Sequence, residues 1–209
     1  MPMAKALLYC SAAACPVCQT ELSVAKSGSG LISSLNVPLL SKHKFRVMQA
    51  PVLIDQYNAW NIVAIPTSMG EVYTALQQKT IEGLENTADH FYQNKFYEVA
   101  RYFTESSHGH LVLILIVNEK WFNSLPQDIQ QTIARISRDI APDVRKWGES
   151  KDQESLEKMK SSGKLTVKKL SSEQTEFLRS KSQVIYGKFI KDNPGADSLI
   201  NAIRKKLGS

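Results

Sequence analysis

Gly70-Glu-Val-Tyr-Thr-Ala-Leu-Gln-Gln-Lys-Thr-Ile-Glu-Gly-Leu-Glu-Asn86 is the stretch on which the reading of this chain turns. It predicts a short amphipathic helix over 70–78, with Val72, Ala75 and Leu76 on one face. Gly83 breaks that helix, and a polar segment follows to Asn86. Asn86 and Thr87 can cap another helix reaching about Asn94. Just upstream, Phe45 and Val47 alternate with Arg46 and Met48, the period of a strand. An arginine and an asparagine on neighbouring elements suit a carboxylate. The planar guanidinium meets both oxygens at once, and the amide donates without adding charge. Taken alone, Arg46 reads as a solvated surface residue and Asn86 as a helix cap.

Working outward, the chain alternates short strands and helices, which predicts an α/β layer structure. Pro51 ends the Arg46 strand and opens a helix at 52–60. Ile62 to Ile65 is a second strand closed by Pro66. Phe103-Thr104 and Leu111 to Val117 are further strands, and the second, apolar throughout, is expected to be central and covered on both faces. Ser124-Leu-Pro-Gln127 then signals a helix start. Ile129, Ile133, Ile136, Ile140, Val144 and Trp147 form a stripe at steps of three and four. The pattern continues to Gly163, with a kink expected at Pro142. A helix this long is expected to brace more than one lobe. Leu165 to Leu170 is a strand, Ser171-Ser-Glu-Gln174 opens a helix to Asp192, and a final amphipathic helix carries Leu199, Ile200, Ile203 and Leu207.

The 209 residues suffice for one large domain or two small ones. The net charge is +6, but the basic residues are scattered and not interleaved with aromatics, so nucleic acid is not the expected partner. A mildly basic surface suits anionic ligands. No apolar run reaches the ~18 residues needed to span a bilayer. Residues 1–14 resemble a poor signal peptide. Cys15-Pro-Val-Cys18 has redox or zinc spacing, yet no second ligand pair matches it, and no metal or cofactor is expected. Glu71 and Glu85 could form an acid/base pair, or Glu71 could favour the positive end of its helix. No nucleophile triad or phosphate loop is present, so the chain is not expected to be an enzyme.

Several ordered motifs resemble one family. They are Phe-Arg-Val-Met-Gln (45–49), Pro-Thr-Ser-Met (66–69), Glu-Val-Tyr-Thr-Ala-Leu-Gln (71–77), Ile-Glu-Gly-Leu-Glu-Asn (81–86) and Phe-Tyr-Glu-Val-Ala-Arg-Tyr-Phe-Thr (96–104), with Asn118 and 121–126. Together they resemble the substrate-binding proteins of TRAP transporters, the tripartite ATP-independent periplasmic carriers, of DctP type. The resemblance implies a periplasmic-binding-protein-like, type II clamshell lobe with a long kinked bracing helix and C-terminal helices. It implies capture of a small organic acid, a mono- or dicarboxylate, in the periplasm for the TRAP membrane subunits. Arg46 would then salt-bridge the ligand carboxylate, Asn86 would contact ligand, and Gln49 and Met69 would be further cleft candidates. His108 matches a histidine of the crossing strand, in a structural role.

The departures are equally specific. Residues 1–43 resemble nothing in the family and are expected to be an atypical, poorly ordered leader. Residues 44–209 are expected to be the C-terminal lobe and bracing helices of a truncated binding protein. Met69-Gly70-Glu71 is two residues shorter than the family pattern and lacks its aromatic residue. Without an opposing lobe, Arg46 is expected to lie in water. The alternative reading is an inactive, decayed fragment, or an interaction protein that binds no ligand.

Overall fold

The computed structural model describes residues 4–6, 19–24, 43–111 and 115–207. Eight strands are described: β1 (Ala4–Ala6), β2 (Gln19–Val24), β3 (Lys44–Val47), β4 (Val63–Pro66), β5 (Gly83–Asn86), β6 (Tyr102–His110), β7 (Ile116–Asn118) and β8 (Thr166–Lys169). The α-helices are α1 (Pro51–Ala59), α2 (Val72–Gln77), α3 (Ala88–Gln93), α4 (Glu119–Ser124), α5 (Gln127–Ser161), α6 (Ser172–Asp192) and α7 (Ala196–Leu207).

Six strands form one mixed sheet in the order β4-β3-β5-β2-β6-β8. β3 runs parallel to both β4 and β5. β2 is antiparallel to β5 on one side and to β6 on the other, and β6 is parallel to β8. Phe45 and Val47 bury one side of β3 with Tyr57 and Trp60 of α1, Ile62, and Leu178 of α6. Leu84, in register with Arg46, belongs to a second cluster with Val72 and Leu76 of α2, Phe91 of α3, Phe103, and Leu156 and Met159 of α5. Helices therefore cover both faces. Each buried large side chain contributes roughly 1.5–3 kcal/mol relative to exposure.

The chain winds from β3 through α1 to β4 on one side. It then returns through α2 to β5 on the other side of β3. β3 is thus the strand at which the winding reverses. Open α/β sheets bind ligands at the carboxyl ends of their strands, at such a reversal.

Several local expectations meet their elements. Pro51 stands in the first turn of α1, where its missing N–H costs nothing. The capping box of α6 is complete: Gln174 N–H donates to Ser171 Oγ, and Ser171 N–H donates to Gln174 Oε1. Thr87, not Asn86, caps α3 by accepting from His90 N–H.

Other expectations are corrected. The polar segment at Gly83–Asn86 is a strand buried along its whole length. Glu85 and Asn86 disguise it as a loop, but it lies between β3 and β2. The strand expected at Phe103-Thr104 runs nine residues. Of the run at Leu111–Val117, residues 112–114 lie outside the described residues; among the described residues Ile116–Asn118 pairs with Ala4–Ala6 in a two-stranded ribbon, and Leu115 and Ile116 are exposed. Ser124 ends α4 by donating to the Trp121 carbonyl and does not cap α5. The helix expected over 70–78 begins as a 3-10 turn, Met69–Glu71, before α2.

Residues 1–43 were expected to take little order. Within them Gln19–Val24 pairs with two strands at the middle of the sheet, its register against β6 shifting between Thr20 and Leu22. The three cysteines lie outside the described residues.

α5 is a single helix of 35 residues with Pro142 inside it, about 52 Å long. It buries Ser155, Leu156 and Met159 near its end, against α3. Ile129, Ile136, Ile140, Val144 and Trp147 are exposed along the rest.

Candidate functional site

Three residues converge at the carboxyl ends of the three parallel strands. Arg46 is the third residue of β3, Thr67 follows β4 directly, and Asn86 ends β5. Registers Arg46–Ile65 and Arg46–Leu84 hold the strands level.

Arg46 is not in water. It is 4% exposed, on a strand flanked by β4 and β5. Its Nε donates to the Thr67 carbonyl at 3.0 Å. Its Nη1 lies 3.6 Å from Glu85 Oε1, an ion pair too long for a good hydrogen bond. Among the described residues, Nη2 makes no ion pair. Burial lowers the Arg46 pKa, with Glu85 and Tyr57 opposing. The guanidinium stays charged regardless.

Glu85 is 5% exposed. Burial raises its pKa, while Arg46 and the Met48 N–H, which donates to it, hold it down. Tyr57 is fully buried, and its hydroxyl is raised well above its ordinary pKa, by burial first and then by the Glu85 charge.

Asn86 is buried and its amide is divided. Its Oδ1 accepts from the Thr87 N–H at 2.9 Å. Its Nδ2 lies 3.8 Å from the Met69 sulfur, a weak acceptor. The donor end thus has capacity for a stronger partner. Met69 is partly exposed in the 3-10 turn beside it.

Arg46, Asn86 and Met69 therefore share one end of the sheet. Gln49 lies in the bend after β3, exposed, and its side chain makes no hydrogen bond to another described residue. Glu71 and Glu85 do not share an environment. Glu71 is exposed and accepts from Ser68 Oγ, whereas Glu85 is buried beside Arg46.

His108 belongs to a neighbouring polar knot. Its Nδ1 is 2.8 Å from Ser106 Oγ and its Nε2 is 3.3 Å from the Tyr57 hydroxyl. Its ring stands edge-on to Tyr57 and Trp60. Burial pushes its pKa down to about 4, so it is neutral near pH 7. The residues missed by sequence reading are Tyr57 and the Thr67 carbonyl. The register of β3 with β4 brings the Thr67 carbonyl to the site, and the packing of α1 on Phe45 brings Tyr57. Among the described residues, no group of three or more His, Cys, Asp or Glu side chains is placed to hold a metal.

The family described as bacterial extracellular solute-binding protein, family 7 (DctP), matches residues 36–192. This chain belongs to that family. The DctP match starts ahead of Lys44 and stops at the end of α6. A C4-dicarboxylate-binding periplasmic protein DctP of Vibrio cholerae is 32% identical over 163 residues, 77% of this chain and 48% of that protein. The chain spans about half the length of the curated relatives it matches.

Among solved structures, a TRAP periplasmic solute-binding protein of Desulfovibrio salexigens with bound orotic acid superposes with a TM-score of 0.81 at 27% identity. The match covers 92% of this chain and 60% of that one. A second, of Shewanella oneidensis with bound succinate, has a TM-score of 0.79 at 26% identity over 90% and 59%. The fold is that of the TRAP periplasmic solute-binding proteins, and the likeness reaches into the first 42 residues of this DctP-family chain. No described helix is long and apolar enough to cross a membrane.

Proposed function

We propose that this chain captures a small organic acid in the periplasm for TRAP membrane subunits, with Arg46 gripping the ligand carboxylate and Asn86 donating beside it. Met69 lines the same site, and Gln49 stands at its outer edge. The observation that carries this reading is the Arg46 guanidinium at the reversal point of the sheet, with Nη2 unpaired among the described residues and the Asn86 Nδ2 set against a thioether. Both are strong donors awaiting an acceptor. Relatives whose names or bound molecules are C4-dicarboxylates, orotic acid and succinate support the carboxylate class. The reading is binding rather than catalysis.

Each charge-assisted hydrogen bond to the carboxylate contributes roughly 1.5–3 kcal/mol. Losing the bidentate fork in Arg46→Lys is expected to weaken affinity by about a hundredfold. Isothermal calorimetry of the whole purified chain with succinate, orotate and galacturonate tests this, with circular dichroism confirming that the variant is folded. A folded Arg46→Lys with parental affinity would remove Arg46 from the site.

A further inference from the structure

We infer that Glu85 makes carboxylate capture proton-coupled: the incoming ligand displaces Glu85 from Arg46, and Glu85 takes up a proton from solvent. The inference rests on the carboxylate reading above and specifies how that site is regulated.

The geometry is two buried side chains of opposite charge, 4% and 5% exposed, 3.6 Å apart. Before ligand arrives the pair is neutral overall. An anionic ligand on Arg46 places two carboxylates around one buried guanidinium. Like charges that share a buried site do not both remain ionised, and one is driven to its neutral form. The ligand acid is the wrong one to neutralise, because protonation would cost it the bidentate grip. Glu85 is already poised, since burial holds its carboxyl above the usual range.

The surrounding groups do not reverse this. From β3, Arg46 and the Met48 N–H favour the carboxylate. The grip of Arg46 passes in part to the ligand. From α1, Tyr57 presents an un-ionised hydroxyl, itself bonded to neutral His108 of β6. On β2 the backbone register pairs Leu22 with Glu85 and Glu21 with Asn86. Glu71, in the Met69 turn, is held by Ser68. The proton count closes: one ligand anion and one proton enter together, Arg46 keeps its charge, and its ion pair passes from Glu85 to the ligand.

The test is calorimetry on the whole chain with orotate and galacturonate, which stay singly charged from about pH 5 to about pH 7. Titrations in buffers of different ionisation enthalpy count the protons. We expect uptake approaching one proton per ligand, with affinity falling up to about tenfold per pH unit over part of that range. Glu85→Gln keeps an acceptor for the Met48 N–H and removes the titration. It should bind without proton uptake, with affinity unchanged across the range. Binding with no proton uptake and a flat profile in the parent chain overturns this inference and leaves the carboxylate reading standing. Persistence of the slope in Glu85→Gln overturns it equally. Binding of neither probe at any pH overturns both.

Discussion

Replacing Arg46 with methionine isolates what the buried pair contributes to the ligand-free fold. The 3.6 Å separation of Arg46 and Glu85 corresponds to an attraction of about 5 kcal/mol at an effective dielectric constant of about 20. Deleting one partner of a buried pair typically costs 3–5 kcal/mol, because the survivor is left uncompensated. In Arg46→Met the uncompensated group is Glu85, which escapes its penalty by binding a proton. The cost is therefore pH-dependent, and its sign follows from linkage. A carboxyl whose folded pKa is raised binds more protons folded than unfolded, so stability is lost as pH rises through the folded pKa and regained on acidification. We expect Arg46→Met to lose about 3 kcal/mol near pH 8 and to recover much of it near pH 5. Adding Glu85→Gln should restore most of the loss at both values, since a neutral pair needs no counter-charge. Urea unfolding followed by circular dichroism, at both pH values and for all four members of the cycle, measures this. A loss in Arg46→Met that is equal at the two pH values would refute the reasoning, because it would place the cost in packing rather than in the Glu85 charge.

Two further outcomes follow from named residues. His108, pushed down to about 4, binds fewer protons folded than unfolded, so the fold should lose about 3 kcal/mol as pH falls from about 6.5 to about 4. In His108→Asn that part of the acid slope should be absent from the urea profile, whatever the baseline stability. At Gly70 an added Cβ meets no atom within 4 Å and the backbone φ is not positive, so Gly70→Ala should raise thermal stability by about 0.4–1 kcal/mol through the unfolded chain. A loss instead would show that the Met69–Glu71 turn depends on glycine.

The helices were legible because their signals are local. Pro51, the Ser171–Gln174 box and the α5 stripe each act within a few residues. What was hidden depends on partners distant in sequence. Gly83–Asn86 is polar at two of four positions and becomes a strand only because β3 and β2 flank it. Gln19–Val24 alternates Gln19, Glu21 and Ser23 with Thr20, Leu22 and Val24, but over only six residues of a stretch with no sustained period, and the two ladders that claim it supply the rest. At the end of the apolar run Leu111–Val117 the reason is the opposite: hydrophobicity signals burial, yet Leu115 and Ile116 are exposed. At the site, Arg46 and Asn86 were readable as residue types suited to a carboxylate. The enclosure of Arg46 and its pairing with Glu85 were not, since they arise from the registers of β3 with β4 and β5.

The position of β2 bears on how the molecule assembles. β3, β4 and β5 come from one contiguous stretch and are joined by short crossovers, so that half of the sheet can close on local contacts. Among the strands, β2 alone links it to β6 and β8, and it does so across long separations, with Glu21 opposite Asn86 and Leu22 opposite Thr104. Such closures are slow, because the loop entropy is lost before the contacts are gained. The half that carries Arg46 and Asn86 is thus expected to form early, and the rate at which the whole sheet becomes continuous to be set by the docking of the six-residue β2.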